Sequence, residues 1–381
     1  MRKKLIWGLL HVFVFFVFIS CIGKTTQAAE SKIPGIEVPK SFNYTWMIEP
    51  KYKNAGRFSE GLWAVQHENG LSGYVDSADN VIIAFQYATA LEFKNNMAFV
   101  HTESGTRSNI RERLWGLIDK RGRYLIEPRL GLNDSIFCDV ATSSLVAFRT
   151  TENKYGFLNL SGDVQIPAVY DEISILGIFS EGKAAVRSGQ LWGIIDTKGE
   201  WIVPPAYRAL IYYWKGHIPF LAEDEDLWGF LDAQGNIALE PKYTRIHAGE
   251  GPWVVELEGK KGVLDENLKI VVAPKYEGSR FRAIRGSDYL GGLSFMDDSG
   301  VYKALDTKGN ELFAFPERLV EPISAVDGYY VLRWKITDKY FLVEKGGKML
   351  LPPEFEYIHP NTEGIIPVKK GKLWGLVKLE Q

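Results

Sequence analysis

Cysteine is almost absent from this sequence. Only Cys21 and Cys138 occur among 381 residues, so an exported form that loses or lipidates Cys21 has no intrachain disulfide, and packing alone must stabilise its core. We expect Cys138 to be a small buried apolar residue. The charge is also nearly balanced, with 45 basic and 47 acidic side chains, which argues against nucleic acid as a partner. The composition therefore favours a globular protein that has no disulfide and does not bind nucleic acid.

Motifs for known chemistry are missing as well. The six histidines show no zinc spacing, and no nucleophile elbow, metalloprotease helix motif or phosphate loop is present. The acidic run Glu223–Asp226 is expected to be a solvated loop, because a calcium site would need further oxygen ligands. We predict no catalytic, cofactor-binding or metal-binding residue. Paired glycosidase carboxylates stay open, because such pairs form in space and not in sequence.

The one long hydrophobic run lies at the N-terminus. Three basic residues at positions 2–4 precede an apolar stretch from Leu5 to Ile19, the pattern of an export signal. Processing has three alternatives: cleavage after a small-x-small site at residues 26–28, lipidation of Cys21 at a lipobox-like "FISC", or an uncleaved anchor. We assign residues 1–29 to this signal and residues 30–45 to a polar, proline-containing tether.

The rest of the chain repeats one pattern every 38 residues or so, a period typical of propellers and solenoids. The clearest copy is "LWGIIDTKGEWIVPP" at residues 191–205, and strong copies begin at Leu114 and Leu227. Two degenerate copies begin at Tyr302 and Lys339, where we align Ala304 and Leu342 with the glycine. "PKY" or a related Pro-x-Tyr follows most copies, and then "FSEG" or a similar turn. Each unit thus consists of three to four short antiparallel strands.

The residue types in the pattern predict a β-hairpin. Asp at the first turn position accepts backbone hydrogen bonds, and Gly three residues later takes the left-handed conformation. Asp76 and Asp265 lack that glycine, so we expect looser turns there. Gly193 leaves a gap that we expect a Trp or Tyr of the adjacent unit to fill, and the following proline should end its strand. The signature residues are Trp115, Gly116, Asp119, Gly122, Trp192, Gly193, Asp196, Gly199, Trp228, Gly229, Asp232, Gly235, Trp374 and Gly375, with Asp306/Gly309 and Asn159/Gly162 as further turn pairs.

This joint pattern resembles the bacterial WG-repeat family, in which Trp-Gly opens a β-rich unit followed by Asp-x-x-Gly and Pro-x-Tyr. The resemblance covers residues 46–381 and implies a repetitive β scaffold, often on exported or surface proteins. It brings no catalytic residues.

We therefore expect an all-β domain over residues 46–381 with about nine units. The chain starts in mid-unit and ends with "KLWGLV", the strand that the start lacks. Pairing of these halves would close a propeller-like ring, which we favour over an open β-solenoid.

The predicted function is an exported, non-enzymatic, monomeric scaffold that binds a protein or glycan. It would be secreted or held at the outer face of the cell membrane only by its N-terminal signal or lipid. The alternatives are a carbohydrate-active hydrolase and a purely structural envelope component. Trp214 and Tyr213, in a divergent aromatic stretch, are the predicted ligand-binding residues.

Overall fold

The structure is a computed structural model, and it describes residues 33–102, 114–131, 145–150, 152–174, 179–211, 215–222, 226–247, 253–277, 281–284, 292–296, 300–306, 310–326, 329–359 and 364–380. The chain divides into two units, Met1–Lys32 and Ile33–Gln381. The first unit, with the predicted export signal and Cys21, lies outside the described residues, as does Cys138. Within the described part, no helix is long and apolar enough to cross a membrane.

The described part of the second unit contains 35 strands in nine antiparallel sheets. We call each sheet a blade and name its strands A to D in hydrogen-bonding order. Eight blades have all four strands, and blade 3 shows strands B to D in the described residues.

The strands of the first four blades are, in blade 1, β2 (Asn54–Ser59), β3 (Leu62–Gln66), β4 (Ser72–Val75) and β5 (Val81–Tyr87); in blade 2, β6 (Thr89–Ala90), β7 (Met97–His101), β8 (Leu114–Asp119) and β9 (Tyr124–Gly131); in blade 3, β10 (Leu145–Arg149), β11 (Tyr155–Asn159) and β12 (Val164–Tyr170); and in blade 4, β13 (Glu172–Ile173), β14 (Lys183–Ser188), β15 (Leu191–Asp196) and β16 (Trp201–Tyr207).

The strands of the remaining blades are, in blade 5, β17 (Ala209–Leu210), β18 (Ile218–Leu221), β19 (Trp228–Leu231) and β20 (Ile237–Tyr243); in blade 6, β21 (Arg245–His247), β22 (Trp253–Leu257), β23 (Lys260–Leu264) and β24 (Ile270–Glu277); in blade 7, β25 (Phe281–Ile284), β26 (Gly292–Met296), β27 (Val301–Leu305) and β28 (Glu311–Pro316); in blade 8, β29 (Val320–Val326), β30 (Tyr329–Trp334), β31 (Lys339–Glu344) and β32 (Met349–Phe355); and in blade 9, β33 (Tyr357–Ile358), β34 (Ile365–Lys370), β35 (Leu373–Leu379) and β1 (Tyr44–Tyr52).

The Trp-Gly motif lies in strand C of its blade, and this strand is apolar on both faces. In β15, Ile194 packs into the core shared with blade 5, while its neighbour Ile195 packs into the core shared with blade 3. Because successive side chains of a strand point to opposite faces, a strand without polar alternation must be covered on both sides. Each blade is therefore sandwiched between two others, as the sequence predicted.

Buried apolar clusters occupy all nine junctions between consecutive blades. They continue from blade 1 to blade 9 without a break. A further cluster joins Trp374 and Leu376 of blade 9 to Trp63 and Val65 of blade 1. The ninth blade thus packs on both the eighth and the first, and the fold is a propeller-like ring.

The two ends of the chain share blade 9. Strand β1 pairs antiparallel with β35, with Thr45 opposite Lys378 and Trp46 opposite Val377. The N-terminal strand therefore supplies the D strand that the C-terminal half-unit lacks, which is the closure that the complementary half-units predicted. Closure pairs a strand edge that would otherwise be open to another chain.

Strand D continues through the proline that was expected to end it. β16 runs to Tyr207 and contains both Pro204 and Pro205. Strand D is the edge of its sheet, and an edge strand tolerates a residue that cannot donate to a ladder. The prediction that proline ends this strand is therefore wrong. In β5, β12 and β16 strand D exposes many of its side chains, which places this edge at the perimeter of the ring.

The expected polar tether at residues 30–45 is also wrong where the structure describes it. Ile33 and Ile36 are buried, at 1% and 7% exposure, in the cluster between blades 7 and 8. The Glu37 N–H donates to Gly347 O at 2.9 Å, and the Met349 N–H donates to Glu37 O at 2.8 Å. Two aliphatic side chains in a polar stretch thus fix the segment to the ring, and the folded domain includes residues before 46.

Candidate functional site

The glycine of Trp-Gly makes room for main chain and not for a neighbouring blade. A Cβ on Gly193 would lie 2.6 Å from Val203 O and 2.9 Å from Pro205 N, both in strand D of the same blade, and 2.6 Å from the Trp201 ring. Strand D shifts register here, since Trp192 pairs with Tyr207 but Ile194 pairs with Val203. This β-bulge brings its backbone against the glycine. The prediction that a Trp or Tyr of the adjacent unit fills the gap is therefore wrong.

Blades 7 and 8 have no glycine at the Trp-Gly position. The residues that occupy this position also differ from those that the sequence alignment predicted. Pairing of Tyr302 with Phe315 and of Tyr340 with Phe355 matches that of Trp192 with Tyr207. The glycine position is thus Lys303 in blade 7 and Phe341 in blade 8, one residue before Ala304 and Leu342. The ladder of blade 7 stays in register at Lys303, whereas blade 8 keeps the shift.

The Asp-x-x-Gly turns have the predicted chemistry. Asp196 Oδ1 accepts hydrogen bonds from the Lys198 N–H at 2.8 Å and the Glu200 N–H at 2.9 Å, and Gly199 has a φ of +84°. The turns at Asp119, Asn159 and Asp232 repeat this arrangement. Gly309, the partner of Asp306, lies outside the described residues.

Turns that lack the glycine keep the same hydrogen bonds. Asp265 accepts from the N–H groups of residues 267 and 269 at 2.9 and 2.8 Å, and Leu268 takes the left-handed position with a φ of +61°. Asp79 does the same in the turn that begins at Asp76. The expectation of looser turns is wrong, because the aspartate bonds hold a non-glycine residue in a disfavoured conformation.

The turn glycine has a second role that the pattern did not indicate. Its Cβ position lies 3.1–3.2 Å from strand D of the preceding blade, at Ile83 for Gly122 and at Ile166 for Gly199. Gly347 meets Phe313 of the preceding blade at 3.3 Å. The turn of each of these blades thus rests on the blade before it.

The tyrosine of Pro-x-Tyr joins the same junctions. Tyr52 donates to Asp79 Oδ1 of the next blade at 2.6 Å, and Tyr170 lies edge-on to Trp201 of the next blade, with ring centroids 5.8 Å apart. Burial raises the pKa of Tyr52, Tyr170 and Tyr243. The residues of the repeated signature therefore stabilise the framework of the ring.

Among the motif tryptophans, Trp115 and Trp374 are buried, and Trp192 and Trp228 are half-buried. Trp214 and Tyr213, the predicted ligand-binding residues, lie outside the described residues. Asp226, the one described residue of the acidic run, pairs with Arg208 at 2.7 Å.

Four aromatic side chains meet where blades 8 and 9 join, and we call them the blade 8–9 aromatic cluster: Tyr340, Tyr357, His359 and Trp374. Tyr357 lies 5.2 Å from Tyr340, 5.0 Å from His359 and 5.8 Å from Trp374, measured between ring centroids. His359 stacks on Trp374 at 4.8 Å with only 10° between the planes. Trp374 is buried, while the other three rings are partly exposed. The motif search missed this cluster, because strands of two units supply it.

Charged groups lie beside Tyr340 of the cluster. Arg333 is opposite Tyr340 in the ladder of blade 8, and it forms ion pairs with Glu321 and, at 3.1 Å, with Asp338. Burial lowers the pKa of His359 to about 4, aided by the nearby charge of Arg57 and opposed by a hydrogen bond to the Ala55 backbone. His359 is therefore neutral at pH 7 and offers an uncharged ring for packing. Partly exposed rings beside fixed polar groups can stack on a planar or sugar ligand and orient it.

The described carboxyl groups with shifted pKa values are all shifted downward. Their hydrogen bonds to the charged form outweigh the opposing effect of burial, as in Asp76, where Asn80 is the main donor. The others are Asp119, Asp171, Asp232 and Glu356. A general acid needs the opposite shift. Within the described ranges, no three His, Cys, Asp or Glu side chains form a metal-binding group.

A family model for the WG containing repeat matches six segments of the sequence: residues 45–71, 73–102, 155–192, 192–214, 228–248 and 340–374. The chain belongs to the WG-repeat family. The unmatched region between 248 and 340 includes blade 7, which lacks both the motif glycine and its bulge. No curated protein sequence matches the chain.

Among solved structures, the WG-repeat ring is similar to the crystal structure of a eukaryotic initiation factor, with a TM-score of 0.53, 10% identity, and coverage of 92% of this chain and 93% of that one. At this identity the likeness concerns the fold alone. AztD from Citrobacter koseri aligns at a TM-score of 0.37 with 10% identity over 80% and 92% of the two chains. The WD40 beta propeller domain of Doa1 aligns at 0.32 with 11% identity over 89% and 98%.

Proposed function

We propose that this WG-repeat ring is an exported, non-enzymatic scaffold that binds a protein or glycan partner. The observation that carries the proposal is that the repeated residues stabilise the framework, while other aromatic residues stay partly exposed. The repeated Trp, Gly, Asp, Gly and Tyr make blade contacts, whereas Tyr357 and His359 of the blade 8–9 aromatic cluster lie outside this signature and are partly exposed. A ring whose ends are paired holds such a surface rigid, and preorganisation favours binding.

The hydrolase alternative receives less support from the described residues. A glycosidase needs a carboxylic acid that stays protonated near neutral pH, and the shifted carboxyl groups of the described part are shifted the other way. We infer export from the basic and apolar residues at positions 2–19. Mass spectrometry of the mature N-terminus tests it, since a lipidated Cys21, a start near residue 29 and an intact Met1 are three distinct masses.

The binding proposal is tested with residues 30–381 on a glycan array and in a pull-down from the exported fraction. A ligand found in this way is then titrated against Tyr357→Ala and against Ile336→Ala, which shortens a 70% exposed side chain away from the cluster. We expect Tyr357→Ala to weaken binding at least tenfold and Ile336→Ala to leave it unchanged. Equal affinities would contradict the aromatic site, and hydrolysis of an array glycan would favour the enzyme.

A further inference from the structure

The N-terminal segment Ile33–Glu37 shows how a polypeptide turn binds to the perimeter of this ring, since the Ile36 N–H donates to Ile33 O at 3.0 Å and Gly35 has a φ of +82°. The segment lies between strand D of blade 7 and strand D of blade 8, in what we call an outer groove. Its Glu37 exchanges main-chain hydrogen bonds with Gly347 and Met349, and a Cβ on Gly35 would overlap Ala314 O of blade 7. Ile33 and Ile36 enter the buried cluster of the two blades. The groove therefore recognises both main chain and aliphatic side chains.

Met349 marks the position that the segment covers. It is the first residue of strand D, opposite Val343 of strand C, and it is 1% exposed. The same pairing position is an exposed apolar residue in five other blades: Val81 at 53%, Val164 at 59%, Trp201 at 40%, Ile237 at 53% and Ile270 at 56%. Four of these lie on consecutive blades, 3 to 6.

The floor of the groove is also shared. Gly347 rests on Phe313 in the occupied groove, and Gly199 rests on Ile166 between blades 3 and 4 at a similar distance, 3.3 against 3.2 Å. Blade 7 differs, because Glu311 stands at the marker position. The groove between blades 3 and 4 thus has the same floor as the occupied groove, and blades 3–6 all have an apolar residue at the marker position.

We propose that the outer grooves of blades 3–6 bind a partner polypeptide segment that forms a turn between two aliphatic side chains three residues apart. The residue after the turn exchanges main-chain hydrogen bonds with the start of strand D as Glu37 does, since β-strand edges offer main-chain donors and acceptors to an added segment. This surface is separate from the blade 8–9 aromatic cluster, so either can exist without the other.

The probe is a fluorescent peptide with the sequence of residues 31–40, SKIPGIEVPK, titrated with the full chain and followed by anisotropy. We expect saturable binding at submillimolar concentration, and none for a peptide in which both isoleucines are aspartate. The protein variant Val164→Glu/Ile237→Glu/Ile270→Glu places at three grooves the residue that blade 7 already has. It should fold normally and bind at least fivefold more weakly. Ile336→Glu, at a 70% exposed residue outside the grooves, should bind like the wild type.

Two results would overturn the proposal. The first is an absence of saturable binding up to about 1 mM. The second is unchanged binding by the triple variant, which would place the peptide in the blade 7–8 groove by exchange with Ile33–Glu37. Neither result affects the glycan and pull-down assays with Tyr357→Ala.

Discussion

Gly193→Ala tests the close approach of strand D to the Trp-Gly strand. The new Cβ would lie 2.6 Å from a carbonyl oxygen and 2.9 Å from a backbone nitrogen, so the bulged strand must move. Overpacking of this kind costs about 1–3 kcal/mol. The matched control is Gly56→Ala, where the nearest atom to the new Cβ is 3.8 Å away. Removal of a glycine from a strand should stabilise this control by about 0.5–1 kcal/mol.

The free energies of unfolding of the two variants should therefore differ by about 2 kcal/mol, with Gly193→Ala the less stable. For the roughly 290 described residues the entropy of unfolding near Tm is about 0.6 kcal/mol/K, so the difference in Tm is about 3 °C. Urea titration and calorimetry measure both quantities. Equal stability of the two variants would show that the position of strand D does not depend on the space at Gly193.

Three further predictions concern stability. The pKa of His359 is lower in the folded than in the unfolded state, so the unfolded state takes up a proton at a higher pH. The free energy of unfolding should therefore fall by up to about 3 kcal/mol as the pH falls from 6.5 to 4. His359→Phe should make the free energy of unfolding less dependent on pH in this range. Asp196→Ala removes the acceptor of two N–H groups and should cost about 1–2 kcal/mol, whereas Lys198→Ala should be neutral. Deletion of residues 372–381 removes three buried side chains of β35 at about 2–5 kcal/mol each, comparable to the whole stability of a domain, so an unchanged Tm would contradict ring closure.

Local chemistry made most of the framework predictable. Asp196 and Gly199 specify their turn through bonds within five residues, and the doubly apolar strand around Ile194 and Ile195 requires a blade on each side. Closure was predictable as well, because the chain begins without the strand with which it ends. These features depend on residues close together in the sequence, or on two half-units whose complementary strands can be recognised in the sequence.

Contacts set by strand register were not predictable. Gly193 faces main chain because strand D slips by two residues, and the motif does not state a register. Ile33 and Ile36 read as part of a polar tether, although their spacing of three around Gly35 is a signal that could have suggested a docked segment. Tyr357 and His359 belong to no motif, and they form an aromatic cluster only together with Tyr340 of another blade.

One strand from each end of the chain completes blade 9 and closes the ring. Thr45 and Lys378 are opposite each other in that pairing and both are exposed, so Thr45→Cys/Lys378→Cys in residues 30–381 with Cys138→Ser tests it directly. We predict a disulfide on mild oxidation, detected by mass spectrometry, and none in the matched pair Thr45→Cys/Ser188→Cys on blade 4. Absence of the first disulfide, or equal yields of both, would contradict the closed ring.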